Sequence, residues 1–136
     1  MVEPGLFDKK SIIQHWIAMS DNDYDTMMVL YKSKRYNWSL FLGHLVIEKL
    51  LKACYVKHNE QHPILTHNLL KLALKSGIEV NDELQLQLDT ITAFNINARY
   101  DDIKLAFFKK CTPEYTEYWL NQIQNIRLWI KKMLIE

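Results

Sequence analysis

The stretch that most constrains the fold runs from Trp38 to His58, WSLFLGHLVIEKLLKACYVKH, and it is long and apolar. It contains no proline, and its single glycine, Gly43, is isolated, so nothing in it prevents one continuous helix. On a helix that turns about 100° per residue, its apolar side chains cover nearly every side. A helix that is apolar all round packs among other helices. We therefore predict that residues 38–58 form the central and most buried helix of a small bundle.

One narrow polar wedge interrupts this apolar surface. His44, Glu48 and Lys52 follow one another at a spacing of four residues, and Tyr55 lies beside them. Glu48 precedes Lys52 in the order that favours an ion pair along a helix. We expect the wedge either to satisfy its own polar groups or to meet polar groups from another helix or chain.

Length and composition narrow the fold class further. The chain has 136 residues, which suits one domain with one hydrophobic core. Hydrophobic residues make up 49%, whereas glycine and proline number three each, which favours long helices over a β-sandwich or barrel. The net charge of +1 gives no global electrostatic argument for nucleic acid, although residues 104–110 and the last helix lean basic.

Signals for membranes, export and disulfides are missing from the sequence. No apolar segment approaches the roughly 18–20 residues that cross a bilayer. The N-terminus, MVEPGLFDKK, lacks the apolar core of a signal peptide. Cys54 and Cys111 form no CxxC or zinc-ligand pattern. The expected compartment is therefore the reducing cytoplasm, with no membrane partner.

The other helices are predicted from capping residues and apolar spacing. Helix one spans Ser11–Ser33, although Ser20 could instead cap a second helix there. NINARYDDIKLAFFKK is predicted irregular, because turn and capping residues alternate with apolar ones. Three more helices are predicted at His67–Lys75 closed by Gly77, from Asn81 or Asp82 to about Phe94, and from the Thr112 cap to the C-terminus. Residues 1–10 form a loose lead-in, and residues 11–136 form one all-α, up-and-down bundle of about five helices.

No motif for metal or phosphate-loop chemistry is present. His58 and His62 are four residues apart, but Pro63 makes one helix face across both unfavourable, and no HExxH occurs. Three glycines cannot supply a glycine-rich phosphate loop. We therefore expect no metal and no cofactor.

Several polar residues occupy positions where burial would be costly. They are His44, Glu48, Lys52, His67, Asn97, Arg99, Tyr100 and Asp101. In a structural interpretation, His67 caps helix three or bonds a loop carbonyl, and Arg99 pairs with Glu48 or Asp101. In a functional one, Arg99, Tyr100 and His67 line a groove for phosphate or a base, because arginine offers a planar fork of donors and tyrosine a stacking face. Both place Arg99 and Tyr100 at the surface end of the central helix, within reach of Glu48 or His67.

These residues also carry a resemblance to the HEPN family of nucleotide-binding domains. The most recognisable segment is HLVIEKLLKA, where an acidic residue and two lysines punctuate an apolar helix. The segments that match, in order, are Trp16 to Tyr24, Arg35 to Trp38, His44 to Ala53, Thr66 to Leu70, and Ala98-Arg99-Tyr100. Together they extend over roughly residues 16–130.

The resemblance implies an all-α bundle of about five helices, often a homodimer, that accompanies a minimal nucleotidyltransferase as a toxin–antitoxin-like pair. Many members are metal-independent ribonucleases in which a His follows an Arg after about four to six residues and moves a proton near neutral pH. After Arg99 the eligible positions hold Lys104, Leu105 and Ala106, and the windows after Arg35 and Arg127 also lack His. Ribonuclease activity is therefore not carried over.

Three hypotheses of function follow. The leading one is a non-enzymatic HEPN-type module, a nucleotide- or RNA-associated partner subunit of a nucleotidyltransferase-like protein. The first alternative is a metal-independent ribonuclease with a divergent site around Arg99, Tyr100 and His67. The second is a purely structural dimerisation bundle. The candidate ligand-binding residues are Arg99, Tyr100, His67, His44, Glu48 and Lys52.

A two-fold homodimer is expected from the last helix as well as from the resemblance. Tyr115, Tyr118, Trp119 and Trp129 give this helix more aromatic surface than one packing seam needs. Aromatic side chains are enriched at protein interfaces. We therefore expect part of this aromatic surface to pack against a second copy of the chain.

Overall fold

The computed structural model describes residues 7–136, which fold into helices joined by short loops, with no strand in that part of the chain. The helices are α1 Lys9–Lys32, α2 Tyr36–Asn59, α3 Leu69–Lys75, α4 Asp82–Arg99, α5 Asp101–Lys110 and α6 Pro113–Ile135. The predicted all-α fold is confirmed, with six helices in the described residues rather than five. Of the predicted lead-in, Lys9 and Lys10 belong to α1, and residues 1–6 lie outside the described residues.

Helix α2 lies at the centre of the fold, as its apolar circumference predicted. It includes all of residues 38–58, and fifteen of its 24 residues are buried, against five in α6 and three in α1. Leu40, Ile47 and Leu50 are completely inaccessible to solvent. The prediction of one continuous, most buried helix is confirmed for the described part of the chain.

Helix α1 is continuous through the point where a second helix could have begun. It starts two residues earlier than predicted, because the Asp8 carboxylate accepts a hydrogen bond from the Ser11 amide at 3.1 Å. Ser20 is buried, and its hydroxyl donates to the Val46 carbonyl oxygen at 2.8 Å. Helix α1 continues without interruption from Lys9 to Lys32, so the alternative break at Ser20 is wrong.

Helices α1 and α2 run antiparallel. The Ser39 hydroxyl donates to the carbonyl oxygen of Met27 at 2.9 Å, whereas Val46, seven positions later, receives the hydrogen bond of Ser20. In the direction in which residue numbers rise along α2, they therefore fall along α1. The turn between them is three residues long, which suits an antiparallel helix pair.

Helix α6 packs closely on α2 because Gly43 has no side chain. A Cβ atom at Gly43 would lie 2.5 Å from Cδ1 of the buried Ile123 and 3.4 Å from Sδ of Met27. Thr112 caps α6 as predicted, accepting from the Tyr115 amide at 3.2 Å, with Pro113 as the first helical residue.

The chain between α2 and α4 differs slightly from its predicted boundaries. Helix α3 begins at Leu69 rather than His67, because the Asn68 side chain accepts from the Lys71 amide at 3.0 Å and acts as the N-cap. Gly77 has the predicted closing role, with the left-handed φ of 74° that glycine adopts easily. Asn81 is the N-cap of α4.

The predicted irregular stretch at 95–110 is helical, which is the main correction to the predicted fold. Helix α4 continues past Phe94 to Arg99, because Asn95 and Ala98 are buried on the same face as Phe94. Tyr100 then leaves helical geometry, with ψ at 124°, and α5 starts at the next residue. This single break places α5 beside the end of α4, where Phe107 packs against Phe94.

Candidate ligand-binding site

The polar wedge of α2 is buried and meets a histidine from the loop before α3. Glu48 is only 3% exposed. Its Oε1 accepts a hydrogen bond from Nδ1 of His67 at 2.6 Å, and its Oε2 accepts from Nζ of Lys52 at 3.3 Å. Lys52 also lies over the ring of Trp16, 5.1 Å from its centroid. Both carboxylate oxygens of this buried charge are therefore paired, as burial of a charge requires.

His44, one turn earlier on α2, is fully buried and bridges two other parts of the chain. Its Nε2 lies 2.8 Å from the backbone oxygen of His67, and its Nδ1 lies 3.3 Å from Nδ2 of Asn95 on α4. Burial lowers the pKa of His44, which keeps the ring neutral near pH 7. We call His44, Glu48, Lys52, His67 and Asn95 the polar cluster.

Arg99 lies at the end of α4 and is exposed. Its Nε donates to the backbone oxygen of Asn95 at 3.0 Å, and its Nη2 donates to the Asn95 side-chain oxygen. The guanidinium lies over the rings of Phe41 and Tyr100, 5.9 and 5.6 Å from their centroids. No carboxylate of the described residues is within ion-pairing distance of it.

A second cation continues this surface onto α5. Nζ of Lys104 lies 4.8 Å from the centroid of Trp38, and Trp38 makes an edge-to-face contact with Phe41. We call Arg99, Tyr100 and Lys104, with Trp38 and Phe41 beneath them, the Arg99 face. This face presents two positive charges above aromatic side chains. Such a surface suits an anionic ligand that also carries flat rings.

Of the six predicted site residues, His44, Glu48, Lys52 and His67 are in direct contact, whereas Arg99 is linked to them through Asn95 and Tyr100 contacts Arg99. Glu48 pairs with His67 and Lys52, so the proposed ion pair of Arg99 with Glu48 is wrong. Arg99 does not pair with Asp101 either, which lies exposed in the first turn of α5. His67 neither caps α3 nor donates to a loop carbonyl through its ring. The Arg99 guanidinium lies over Phe41 in the first part of α2, with the ring of Tyr100 beside it.

Some residues of this site were missed by sequence reasoning. Asn95 was placed in an irregular stretch, although its spacing of four from Arg99 would have revealed the contact had the helix been extended. The role of Lys104 could not be predicted, because its contact with Trp38 joins α5 to a distant helix. Asn97, which was considered, is half-buried and lines a small cleft with Ile103.

The main clefts lie away from the Arg99 face. One, of about 640 Å³, is lined by residues that include Cys54, His58, Gly77 and Trp129. Another, of about 400 Å³, lies between the start of α4 and α6 and shares Trp129. The Arg99 face is therefore described by surface charge and rings rather than by an enclosed cavity.

Metal and thiol chemistry find no support in the part of the chain that the structure describes. No group of three or more His, Cys, Asp or Glu side chains converges there as metal ligands. Cys54 and Cys111 are buried and unpaired, and burial raises the pKa of each thiol to about 12. A thiol with such a pKa is protonated at neutral pH and is a poor nucleophile.

Among the described helices, none combines the length and the hydropathy that crossing a bilayer would require. The chain is thus a helical bundle with a buried polar cluster beneath an exposed cationic and aromatic surface. A family model for the HEPN domain matches residues 13–133, which is nearly the whole chain. The chain therefore belongs to the HEPN domain family. Neither curated proteins nor solved structures gave a significant match.

Proposed function

We propose that this HEPN protein is a nucleotide- or RNA-associated module whose Arg99 face receives the phosphate groups of its ligand. The proposal rests on the exposure and the hydrogen bonding of the Arg99 side chain. The guanidinium is exposed, is held by two hydrogen bonds to Asn95, and has no carboxylate partner among residues 7–136. A cation fixed in this way keeps donors free for an incoming anion, and arginine matches phosphate geometry particularly well.

The surroundings of Arg99 favour a ligand with bases as well as phosphates. Tyr100 is 56% exposed and offers a ring face beside the guanidinium. Base stacking on such rings tolerates many sequences, because every base has a π face. Lys104 adds a second positive charge on the same surface. A single-stranded segment could contact both cations along its backbone.

Fluorescence anisotropy with a labelled oligouridylate tests the proposal. We expect Arg99→Ala to weaken binding by about tenfold, which is close to the free energy of one charge-assisted hydrogen bond. The slope of log affinity against log salt concentration should fall by about one, the contribution of one phosphate contact. Lys10→Ala is the matched control, because it also removes one exposed positive charge. Lys10 is at the opposite end of the bundle, where Lys9 pairs with Glu60 after α2. Equal affinities in both variants would contradict the proposal.

We further propose a protein partner of the nucleotidyltransferase type and a toxin–antitoxin-like role for the pair. Membership in the HEPN family supports a nucleotide- or RNA-related module, and the absence of His at Lys104, Leu105 and Ala106 supports a role without ribonuclease chemistry. An adjacent gene for a minimal nucleotidyltransferase, together with co-purification of the two proteins, would support the pairing. Failure of the two purified proteins to associate would contradict it.

A metal-independent ribonuclease is the second candidate, favoured by the contact between Glu48 and His67. A buried carboxylate that accepts from Nδ1–H of a histidine fixes the ring and its tautomer. The His67 side chain is 65% exposed, and its Nε2 makes no hydrogen bond among the described residues. Such a nitrogen could take a proton from a ribose hydroxyl next to the Arg99 face.

A cleavage assay separates this candidate from the leading proposal. The ribonuclease hypothesis expects RNA cleavage that is lost in His67→Ala and in Arg99→Ala but kept in His62→Ala, the control for an exposed histidine elsewhere in the loop. The leading proposal expects no cleavage above that of buffer. Cleavage that persists equally in all three variants would indicate a contaminating nuclease and exclude the divergent site.

A further inference from the structure

His44 joins the two halves of the site, although it cannot itself touch a ligand. Its ring is fully buried between the backbone of His67 and the side chain of Asn95. A backbone oxygen only accepts hydrogen bonds, so the proton of the neutral ring must be on Nε2, 2.8 Å away. The other nitrogen, Nδ1, is then an acceptor, and Asn95 Nδ2 must donate to it.

This tautomer also fixes which way the Asn95 amide points. With Nδ2 donating to His44, the amide oxygen faces Arg99 and accepts from the guanidinium. The reversed amide would set an oxygen against the His44 lone pair and an NH₂ group against the cation. Both contacts would be repulsive, so the ring of His44 and the guanidinium of Arg99 together define one orientation.

The charged and titratable groups that face His44 come from each element packed around it. Glu48 Oε1 lies 3.9 Å from Nε2, and Lys52 follows on the same helix. The ring of His67 lies 6.1 Å away from the His44 ring, and Arg99 acts on it through Asn95. Because Glu48 is already paired with Lys52 and His67, it does not require a second cation at His44.

We infer that His44 is a positioning residue: its Nδ1 acceptor orients Asn95, and Asn95 holds the Arg99 guanidinium in place on the surface. The hydrogen bonds concern this chain alone, and only their consequence for ligand affinity rests on the function proposed above. His44 thus acts on the ligand-binding surface although it is buried and reaches Arg99 only through Asn95.

Two isosteric variants separate the two hydrogen bonds of His44. His44→Asn can place an amide oxygen near the position of Nδ1, so it keeps an acceptor for Asn95 and loses the donor to His67. His44→Gln can place an amide NH₂ near the position of Nε2, so it keeps the donor to His67 and loses the acceptor for Asn95. If His44 only fills space, both variants should affect Arg99 equally.

Hydrogen exchange of the arginine guanidinium N–H groups measures this effect without any ligand, because Nη2 of Arg99 donates to the amide oxygen of Asn95. The chain has only three arginines, so the Arg99 signal can be assigned with Arg99→Lys, and Arg35 and Arg127 serve as internal references. We expect His44→Gln to speed exchange at Arg99 by about fivefold, the factor of one ordinary hydrogen bond, and His44→Asn to speed it much less. Equal exchange at Arg99 in the two variants would overturn the inference.

The wild-type protein provides a test that does not depend on the folding of a variant. Long-range proton–nitrogen spectra of the histidine rings report the tautomer of His44 directly. We expect the Nε2–H form at neutral pH. A proton on Nδ1, or a positively charged ring, would leave Asn95 without its acceptor and overturn the inference.

Binding of the labelled oligouridylate then distinguishes failure of the inference from failure of the proposed function. We expect His44→Gln to bind about fivefold more weakly than His44→Asn. Wild-type binding that depends on Arg99 but is equal in the two His44 variants would overturn the inference alone. A wild-type protein that does not bind would overturn the proposed function, while the exchange and tautomer measurements would still decide the positioning role.

Discussion

Single side chains of the site differ in what their loss should cost, because Glu48 is buried and Arg99 is exposed. Glu48→Ala removes the partner of Lys52, which is itself 9% exposed, and of the ring of His67. Loss of one member of a buried pair leaves the other charge unpaired, so we expect Glu48→Ala to lower the free energy of unfolding by about 3–5 kcal/mol.

Chemical denaturation measures this effect, with Glu117→Ala as the control. Glu117 is exposed on α6, so its loss should change the free energy of unfolding by no more than about 0.5 kcal/mol. A cost for Glu48→Ala as small as that of the control would mean that the polar cluster is open to water and contributes little to the fold.

The buried ring of His44 makes the fold sensitive to acid. Burial lowers the pKa of His44 below its ordinary value of 6.5, so the unfolded chain binds a proton there at a pH where the folded chain does not. Stability from this group is therefore complete above the unfolded pKa and falls as the pH drops from 6.5 towards the folded pKa. Urea denaturation should show a smaller loss in His44→Asn than in wild type between pH 7 and about 5. Parallel curves for both proteins would contradict this assignment.

Spacing along one helix, and with it the pair of Glu48 with Lys52, could be predicted from the sequence, but the partners on other elements could not. His44, Glu48 and Lys52 share a face because helix geometry places residues four apart together. The other atoms that satisfy His44 and Glu48 belong to His67 and Asn95, from the loop before α3 and from α4. A single sequence does not show which distant segment a buried group meets, and for this reason the expected pair of Arg99 with Glu48 was wrong.

Whole helices show the same contrast between strong and weak local signals. Helix α2 was predicted correctly, because a long, mainly apolar stretch without proline favours one continuous buried helix. Residues 95–110 were predicted irregular because their asparagines and aspartates favour turns when considered locally. Burial of Asn95, Ala98 and Phe107 against the bundle outweighs that preference and makes two helices of the stretch.

The close approach of α2 and α6 at Gly43 gives a prediction for the packing of elements. Gly43→Ala gains about 1 kcal/mol of helix propensity but places a Cβ 2.5 Å from Ile123 Cδ1, which overpacks the core by about 1–3 kcal/mol. Ile123→Val removes that methyl group and alone should cost about 0.5–1.5 kcal/mol. We expect the double variant to lose less free energy of unfolding than the two single variants lose together. The difference should be at least about 1 kcal/mol in a double-mutant cycle. Strict additivity would show that the helices are not in contact at Gly43.

Assembly of the whole molecule remains a proposal, and the surface of α6 refines it. Trp119 and Tyr115 are half-buried against the chain's own core, whereas Tyr118 is 55% and Trp129 is 41% exposed. Tyr118 and Trp129 are eleven residues apart, so they share one helix face. We therefore expect the two-fold homodimer to form through this face.

Sedimentation at tens of micromolar tests the homodimer. The wild-type protein should sediment as a dimer, and the combined change Tyr118→Ser and Trp129→Ser should give a folded monomer. Leu86→Ser, at a residue 70% exposed on α4, is the control and should remain dimeric. A wild-type monomer at these concentrations would refute the proposal.

The most direct test of ligand binding at the Arg99 face is an NMR titration of the wild-type protein with oligouridylate, because it locates the ligand without any substitution. We predict that the Arg99 Nε–H and the amides of residues 98–104 shift most, and that residues around Trp129 and the N-terminal turn of α1 stay unchanged. The shifts should diminish with added salt as phosphate contacts are screened. Shifts centred on the clefts beside Trp129, or no shift at all, would contradict the claim that the Arg99 face binds the ligand.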